Sequence, residues 1–257
     1  MEEKVINIAI KNHVAYLEFN RPKANCYELG FMKQLIKCLH EANTNSSVKI
    51  IVIKSALEKF FSAGADIKVF EANTIEENKE MVKHAQQAAN LLSFSKKITI
   101  AAIKGHALGG GLELAMACDI RLGAKENYFL GLPEIKLGLI PGNGGTQRLI
   151  RLIGKSAAFE LLLTGDSIGP EKAFQLGLFN HLYDKETFEE AVSVFAENLA
   201  KGPAQAMTAI KQCIKGLEMP LEEGLTLETQ WANTLYDTED AKEGYAAFLE
   251  KREPRFK

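Results

Sequence analysis

The chain has 257 residues, enough for one large domain with a substantial core, or for such a domain with a helical appendage. Its 46% hydrophobic and 25% charged residues are ordinary globular proportions and exclude a disordered or fibrous chain. The net charge of -2 comes from well-mixed signs, which leaves no electrostatic footprint of a nucleic-acid or anionic-membrane binder, so neither partner is expected.

The opening "MEEKVINIAI" is acidic and alternating where a secretory leader would be basic and then continuously apolar, so a cytoplasmic location is expected. "VINIAI" and "VAYLEF" flank Lys11, Asn12 and His13 and predict a hairpin, because apolar residues recur at every second position. A helical stripe of Leu35, Ile36 and Leu39 marks residues 29–42. "KIIVIK" is a continuous β-branched run, expected of a strand covered on both faces. "ITIAAI" (98–103) predicts another such strand, followed by a helix over 110–117 and a strand at "DIRLG". The most apolar stretch, Ile98 to Cys118, is interrupted by Lys104, His106, Glu113 and clustered glycines, and so falls short of a membrane span.

Beyond about residue 186 the strand signals stop. Amphipathic stretches at 187–200, 203–216, 221–236 and 239–251 predict four helices, punctuated by Gly202-Pro203 and Met219-Pro220. The expected organisation is therefore a β/α core over 1–185 and a helical region over 186–257, packed together without a low-complexity linker. Cys26, Cys38, Cys118 and Cys213 have no paired spacing, which fits reduced thiols.

Familiar cofactor motifs fail on inspection. "IGKSAAFE" has the Gly-Lys-Ser ending of a phosphate loop, but Leu149 stands where its first glycine belongs. Neither "GGG" nor "GNGG" completes G-x-G-x-x-G, because Leu114 and Gln147 occupy the last glycine position. The five histidines are scattered, and no G-x-S-x-G or H-E-x-x-H is present.

Three stretches remain that carry chemistry. "GHALGGGLELAMACD" sets three glycines between a buried strand and a helix start, where backbone can approach a ligand and unpaired amides point outward. Tight packing is the simpler use of such glycines, but Glu113 follows them in apolar company, and a carboxylate there is costly to bury without a purpose. "FFSAGADIKVF" repeats the pattern, with Ala63-Gly64-Ala65 before Asp66, a residue that alone reads as a helix N-cap. "LGLPEIKLGLIPGNGGTQRL" places Glu134 after a proline and ahead of a Pro141-Gly142 turn.

Together, "FSAGADIK" (61–68), "ALGGGLELAMACD" (107–119) and "PEIKLGLIPGNGGTQRL" (133–149) resemble the enoyl-CoA hydratase/isomerase family, the crotonase superfamily, whose members carry these motifs in this order. "FNRPKAN", "GKSAAFELLLTG", "AFQLGL" and "FLEKREPRF" extend the likeness along nearly the whole chain. The resemblance implies an α/β fold, a crotonase-like spiral of ββα units with a helical C-terminal portion.

It also implies an acyl-CoA substrate, with no separate cofactor and no metal. The thioester carbonyl would be held by the backbone amides of Ala65 and Gly110. Glu113 and Glu134 would flank a water above the acyl double bond, Glu113 activating it and Glu134 exchanging the proton at Cα, with the Gly142 amide helping to orient it. Lys23 and Ala24, the backbone of Ala63, Asp66 and Ile67, and Lys68 would meet CoA. Phe248 and Lys251 would reach the adenine end of CoA in a neighbouring subunit of a trimer or a dimer of trimers.

One position departs from the hydratase pattern. Many hydratases carry Gln before the Pro-Glu pair, and here Leu132 stands there, an apolar neighbour that raises a glutamate's pKa. The implied reaction is reversible syn-hydration of a trans-2-enoyl-CoA to a 3-hydroxyacyl-CoA. An enoyl-CoA isomerase is disfavoured because those enzymes commonly keep one of the two acids. A low-turnover acyl-CoA-binding protein is disfavoured by the intact glutamate pair, and an RNA-binding one by the absence of a basic stripe.

Overall fold

The computed structural model describes residues 3–256. The chain opens with the hairpin β1 (Ile6–Lys11) and β2 (Val14–Phe19), then α1 (Leu29–Thr44). The side chain of Glu28 starts that helix by accepting from the Gly30 and Phe31 amides. Phe31, Met32, Leu35, Leu39 and Ala42 form its buried stripe, and Ile36 of the expected stripe is only half-buried.

From here the chain alternates between two sheets. β3 (Ile50–Ser55), β5 (Ile98–Ile103), β7 (Ile120–Lys125) and β10 (His181–Asp184) extend the hairpin into a six-stranded sheet, with order β1-β2-β3-β5-β7-β10. All its pairings beyond the hairpin are parallel. β4 (Phe60–Ser62), β6 (His106–Leu108), β8 (Leu130–Gly131) and β9 (Ser167–Ile168) make a smaller sheet in that order. Each of β3, β5 and β7 is thus followed by a short strand of the second sheet and then by helix, which is the ββα spiral of the crotonase fold. The sequence reading picks out β1, β2, β3, β5 and β7 and passes over β10 and the strands of the small sheet, because two to four residues are too few to set up an alternation.

Helices fill the connections: α2 (Ile67–Ala72), α3 (Ile75–Ser93), α4 (Gly110–Met116), α5 (Gly145–Ile153), α6 (Lys155–Thr164) and α7 (Pro170–Gln175). Thr74 and Glu77 close a capping box at the start of α3. α4 packs against β4, β5, β6, α3 and α5, and every one of its residues is buried. That explains its composition: only glycine, alanine and apolar side chains fit there, with Glu113 the exception.

After β10 every element is helical: α8 (Phe188–Ala200), α9 (Ala204–Lys215), α10 (Leu221–Leu235) and α11 (Glu239–Glu250), with short 3-10 turns before α8 and between α9 and α10. α8 lies on the large sheet. α9 is pinned to the core by Lys211, whose buried Nζ lies 2.6 Å from Asp119 and donates to the carbonyls of Lys97 and Leu92. α10 packs on α9 and buries none of its residues.

Candidate active site

The functional stretches converge because each follows the C-terminal end of a strand in the small sheet. β4 delivers Ala63-Gly64-Ala65, β6 delivers Gly109-Gly110, and β8 delivers Leu132 and the 3-10 helix Pro133–Leu137 that carries Glu134. Parallel pairing of β4 with β6 and of β6 with β8 puts the three ends side by side.

The first two loops nearly touch. A Cβ on Gly64 would lie 3.1 Å from the Gly110 nitrogen and 2.9 Å from the Leu108 carbonyl oxygen. Gly64 has φ +85° and Gly109 φ +51°, conformations that a side chain would strain. The surrounding amides are engaged: Ala63 N–H donates to Ala24, Asp66 N–H to Tyr27 and Gly109 N–H to Gly131. The N–H groups of Ala65 and Gly110 have no acceptor among the described residues. Two free amides on adjacent loops, one at a helix start, make a site for a negatively charged oxygen.

Glu113 sits one helical turn beyond Gly110, 1% exposed. Its Oε1 accepts from the amides of Asn143 and Gly145, both at 2.7 Å. Glu134 approaches from the other loop, and a Cβ on Gly109 would lie 3.0 Å from its Oε1. Its Oε2 is buried and has no hydrogen-bond partner among the described residues. Burial pushes the Glu113 carboxyl up to about 7 against the pull of the two amides, and the negative charge of Glu134 adds to the rise. Burial raises Glu134 as well. Two carboxyls raised by burial in one site can pass protons to and from a bound molecule.

Leu132 is buried, and its Cδ1 would lie 2.9 Å from a Cβ on Gly145, whose amide binds Glu113. The apolar side chain therefore contributes to the dry surroundings of the acid. The Gly142 carbonyl accepts from Gln86 of α3, while the amides that bind Glu113 belong to Asn143 and Gly145. These two, with Tyr27 and Arg148, are site residues that the sequence reading passed over. Arg148 donates to the Asn143 carbonyl at 2.5 Å and tempers the rise at Glu113. "PGNGGTQRL" contained three of the four, and what hid them is that two act through backbone amides.

The residues expected to meet CoA fall into two groups. Ala24 accepts from Ala63, so the segments carrying Lys23-Ala24 and Ala63 lie together at the edge of the site, with Lys23, Ile67 and Lys68 exposed. Asp66 stands at the N-cap position of α2 without capping it; its carboxylate pairs with Arg21 at 3.1 Å instead. Phe248, 83% exposed, and Lys251 lie at the end of α11 and share no hydrogen bond with the other site residues. Among the described residues no helix is long and apolar enough to cross a membrane.

The family model for enoyl-CoA hydratase/isomerase matches residues 9–257. A probable enoyl-CoA hydratase of Bacillus subtilis is 40% identical over 98% of both chains. A crotonyl-CoA hydratase of Syntrophomonas wolfei is 36% identical over 95% of this chain and 94% of its own. The crystal structure of an enoyl-CoA hydratase from Bacillus anthracis superposes with a TM-score of 0.95 at 35% identity, covering 99% of each chain.

Proposed function

We propose that this chain, which belongs to the enoyl-CoA hydratase/isomerase family, adds water reversibly and syn to a trans-2-enoyl-CoA, giving a 3-hydroxyacyl-CoA. In that role it is a hydro-lyase. The observation that carries the reading is the pairing of two free amides, at Ala65 and Gly110, with the buried carboxyl of Glu113 and the half-buried carboxyl of Glu134.

The thioester oxygen lies against the Ala65 and Gly110 amides, where charge developing on it as an enolate forms is stabilised. Ionised Glu113 takes a proton from water as the water oxygen bonds to Cβ. Protonated Glu134 gives its proton to Cα, and its unpartnered Oε2 supports this contact with the reacting molecule. Burial raises both carboxyls toward the protonated form, and Glu113, at about 7, exchanges a proton near neutrality. The chemistry uses amides, carboxyls and water, and so calls for no metal and no redox cofactor. We assign Lys23, Ala24, Ala63, Asp66, Ile67 and Lys68 to CoA, and Phe248 and Lys251 to the CoA of a neighbouring copy in a trimer or dimer of trimers. The helical region over 186–257 then serves assembly and closure of the pocket, and a cytoplasmic role in fatty-acid or related acyl-CoA metabolism fits this reading.

The test is hydration of crotonyl-CoA, followed by loss of the enoyl-thioester absorbance, beside a 3-enoyl-CoA assayed for double-bond migration. Hydration at a rate far above migration is expected. Migration without hydration would replace this reading with an isomerase.

A further inference from the structure

Beneath the two free amides lies a buried tyrosine with no part in the reaction as described. Tyr27 is 4% exposed. Its N–H donates to the Gly64 carbonyl and its carbonyl accepts from Asp66 N–H, both at 2.9 Å. These two bonds grip the backbone on either side of Ala65 and leave the Ala65 amide free. The side chain reaches the other amide. A Cβ on Gly110 would fall 1.8 Å from the phenol oxygen, so the hydroxyl fills the space of the side chain that Gly110 lacks.

The hydroxyl has one hydrogen-bond partner among the described residues, the Nδ2 of Asn143 at 2.9 Å. Asn143 is itself buried, and its backbone N–H is one of the two that bind Glu113. A tyrosine serving only to fill the core would place its polar oxygen toward solvent or give way to phenylalanine, because burying a hydroxyl beside two carboxyls costs free energy. Here that oxygen closes a chain of contacts from Ala65 through Tyr27 to Gly110, and from Tyr27 through Asn143 to Glu113.

We propose that Tyr27 is a positioning residue that fixes both oxyanion-binding amides and, through Asn143, the acid Glu113 in one rigid frame. The proposal rests on the hydratase reading above. Its consequence is that the phenol oxygen governs turnover and the ionisation of Glu113, while CoA binding, which uses other residues, is untouched. Charged groups acting on Glu113 are Glu134 on its 3-10 turn and Arg148 on α5. His106 on β6 is held between the rings of Phe60 and Phe129. The other elements against α4, namely α3, β4 and β5, bury no charged side chain among the described residues, and Glu80, Lys83 and His84 of α3 lie outside its buried face.

Tyr27→Phe keeps the ring and both backbone bonds and removes only the oxygen. Asn143 then loses its side-chain partner and is held only through its backbone, its N–H holds the Glu113 carboxylate less well, and the ionised form becomes harder to reach. Wild-type enzyme is first shown to hydrate crotonyl-CoA; if it does not, the hydratase reading fails and not this one. With hydration in hand, Tyr27→Phe is expected to lower kcat by roughly 5- to 30-fold, the effect of one or two kcal/mol, with KM nearly unchanged. The acid limb of its kcat profile moves to higher pH. Asn143→Ala, which retains the backbone N–H, cuts the same chain from the other side and gives the same upward shift, and the double variant is scarcely worse than either single. A Tyr27→Phe enzyme with wild-type kcat and an unmoved pH limb overturns the proposal, even if its Tm falls. If Tyr27→Phe does not fold, an unmoved limb in Asn143→Ala overturns it equally.

Discussion

The strand ends of the small sheet and the last three helices solve opposite problems. At the strand ends the polar groups are enclosed: α4 is buried along its whole length, Glu113 is shut in with it and met by two amides of the same chain, and half-buried Glu134 faces it from the next loop. From α9 to α11 many large apolar side chains face outward. Leu217 is 83% exposed and Leu221 77%, with Ile210, Ile214, Leu225, Phe248 and Leu249 exposed beside them. An apolar surface of this kind is normally covered by a partner. The contrast teaches that the free amides and the two carboxyls are gathered within one chain, while the last helices leave apolar side chains for a neighbouring copy to cover if the proposed assembly forms. Substitutions in the two regions should then fail differently, the first in turnover and the second in binding.

The strongest test strikes the enclosed region. Glu113→Gln and Glu134→Gln should each lose roughly 10²–10⁴ in kcat, the range for a positioned acid or base. If the two carboxyls act as a unit in one addition step, the double variant should be little worse than the poorer single. CoA-ester affinity, checked by titration, should persist, since the Ala65 and Gly110 amides are left in place. A Glu113→Gln enzyme that hydrates crotonyl-CoA at nearly the wild-type rate would undo the two-acid assignment. One mild and one severe variant would point to isomerase chemistry.

Next in size is the open region. Leu217→Glu with Leu221→Glu puts charge on the exposed apolar face, and sedimentation should show the assembly of the wild-type chain replaced by a smaller species. If the site is completed by a neighbour, KM should rise about tenfold with kcat largely kept, the pattern of lost uniform binding. A wild-type chain that already sediments as a fully active monomer removes this half of the contrast.

Enclosure also has a cost that can be measured. The folded chain holds the Glu113 proton up to about 7, whereas the unfolded chain releases it near 4.5. The folded state is therefore favoured below 4.5, and this advantage is lost as pH rises through 7. Above that pH the ionised carboxylate costs on the order of 1–3 kcal/mol. Glu113→Gln keeps an Oε1 for the Asn143 and Gly145 amides and has no charge to bury. Its Tm should exceed that of wild type at pH 8 and fall to parity near pH 4. Hydration by the wild type should run the other way, declining as pH drops below 7 because Glu113 must be ionised to activate water. A Tm gain that does not depend on pH would show that the buried charge is not its source.

The two regions also differ in what their sequence discloses. The helices of the open region were legible to within a residue or two, since "GP" and "MP" separate long amphipathic runs and little tertiary constraint overrides them. In the enclosed region the glycines and Glu113 could be noticed alone, but only the resemblance joined Glu113 to Glu134, because no periodicity links a helix start to a 3-10 turn on another strand. β4, β6, β8 and β9 escaped for their shortness. Tyr27 escaped because its meaning is spatial: nothing in "NCYELG" says that its hydroxyl stands in the side-chain space of Gly110.

The smallest effect is expected at Lys251, and it locates the boundary between the regions most finely. Lys251 ends α11 in a left-handed conformation (φ 55°) and is exposed. It shares no hydrogen bond with the carboxyls or the free amides of its own chain. If it meets the phosphate end of CoA bound to a neighbour, Lys251→Ala removes one exposed charge contact, and such contacts contribute little individually. KM for crotonyl-CoA should rise about two- to fivefold with kcat unchanged. Because the contact is electrostatic and solvent-exposed, raising the salt to 1 M should shrink the gap between variant and wild type, the Debye length there being about 3 Å. A cross-subunit origin has its own signature. In mixed assemblies of Lys251→Ala chains with Glu113→Gln chains, the working Glu113 sites belong to the first kind and can borrow Lys251 from the second. KM should then return toward wild type, whereas a lysine acting on its own chain's CoA would leave KM raised.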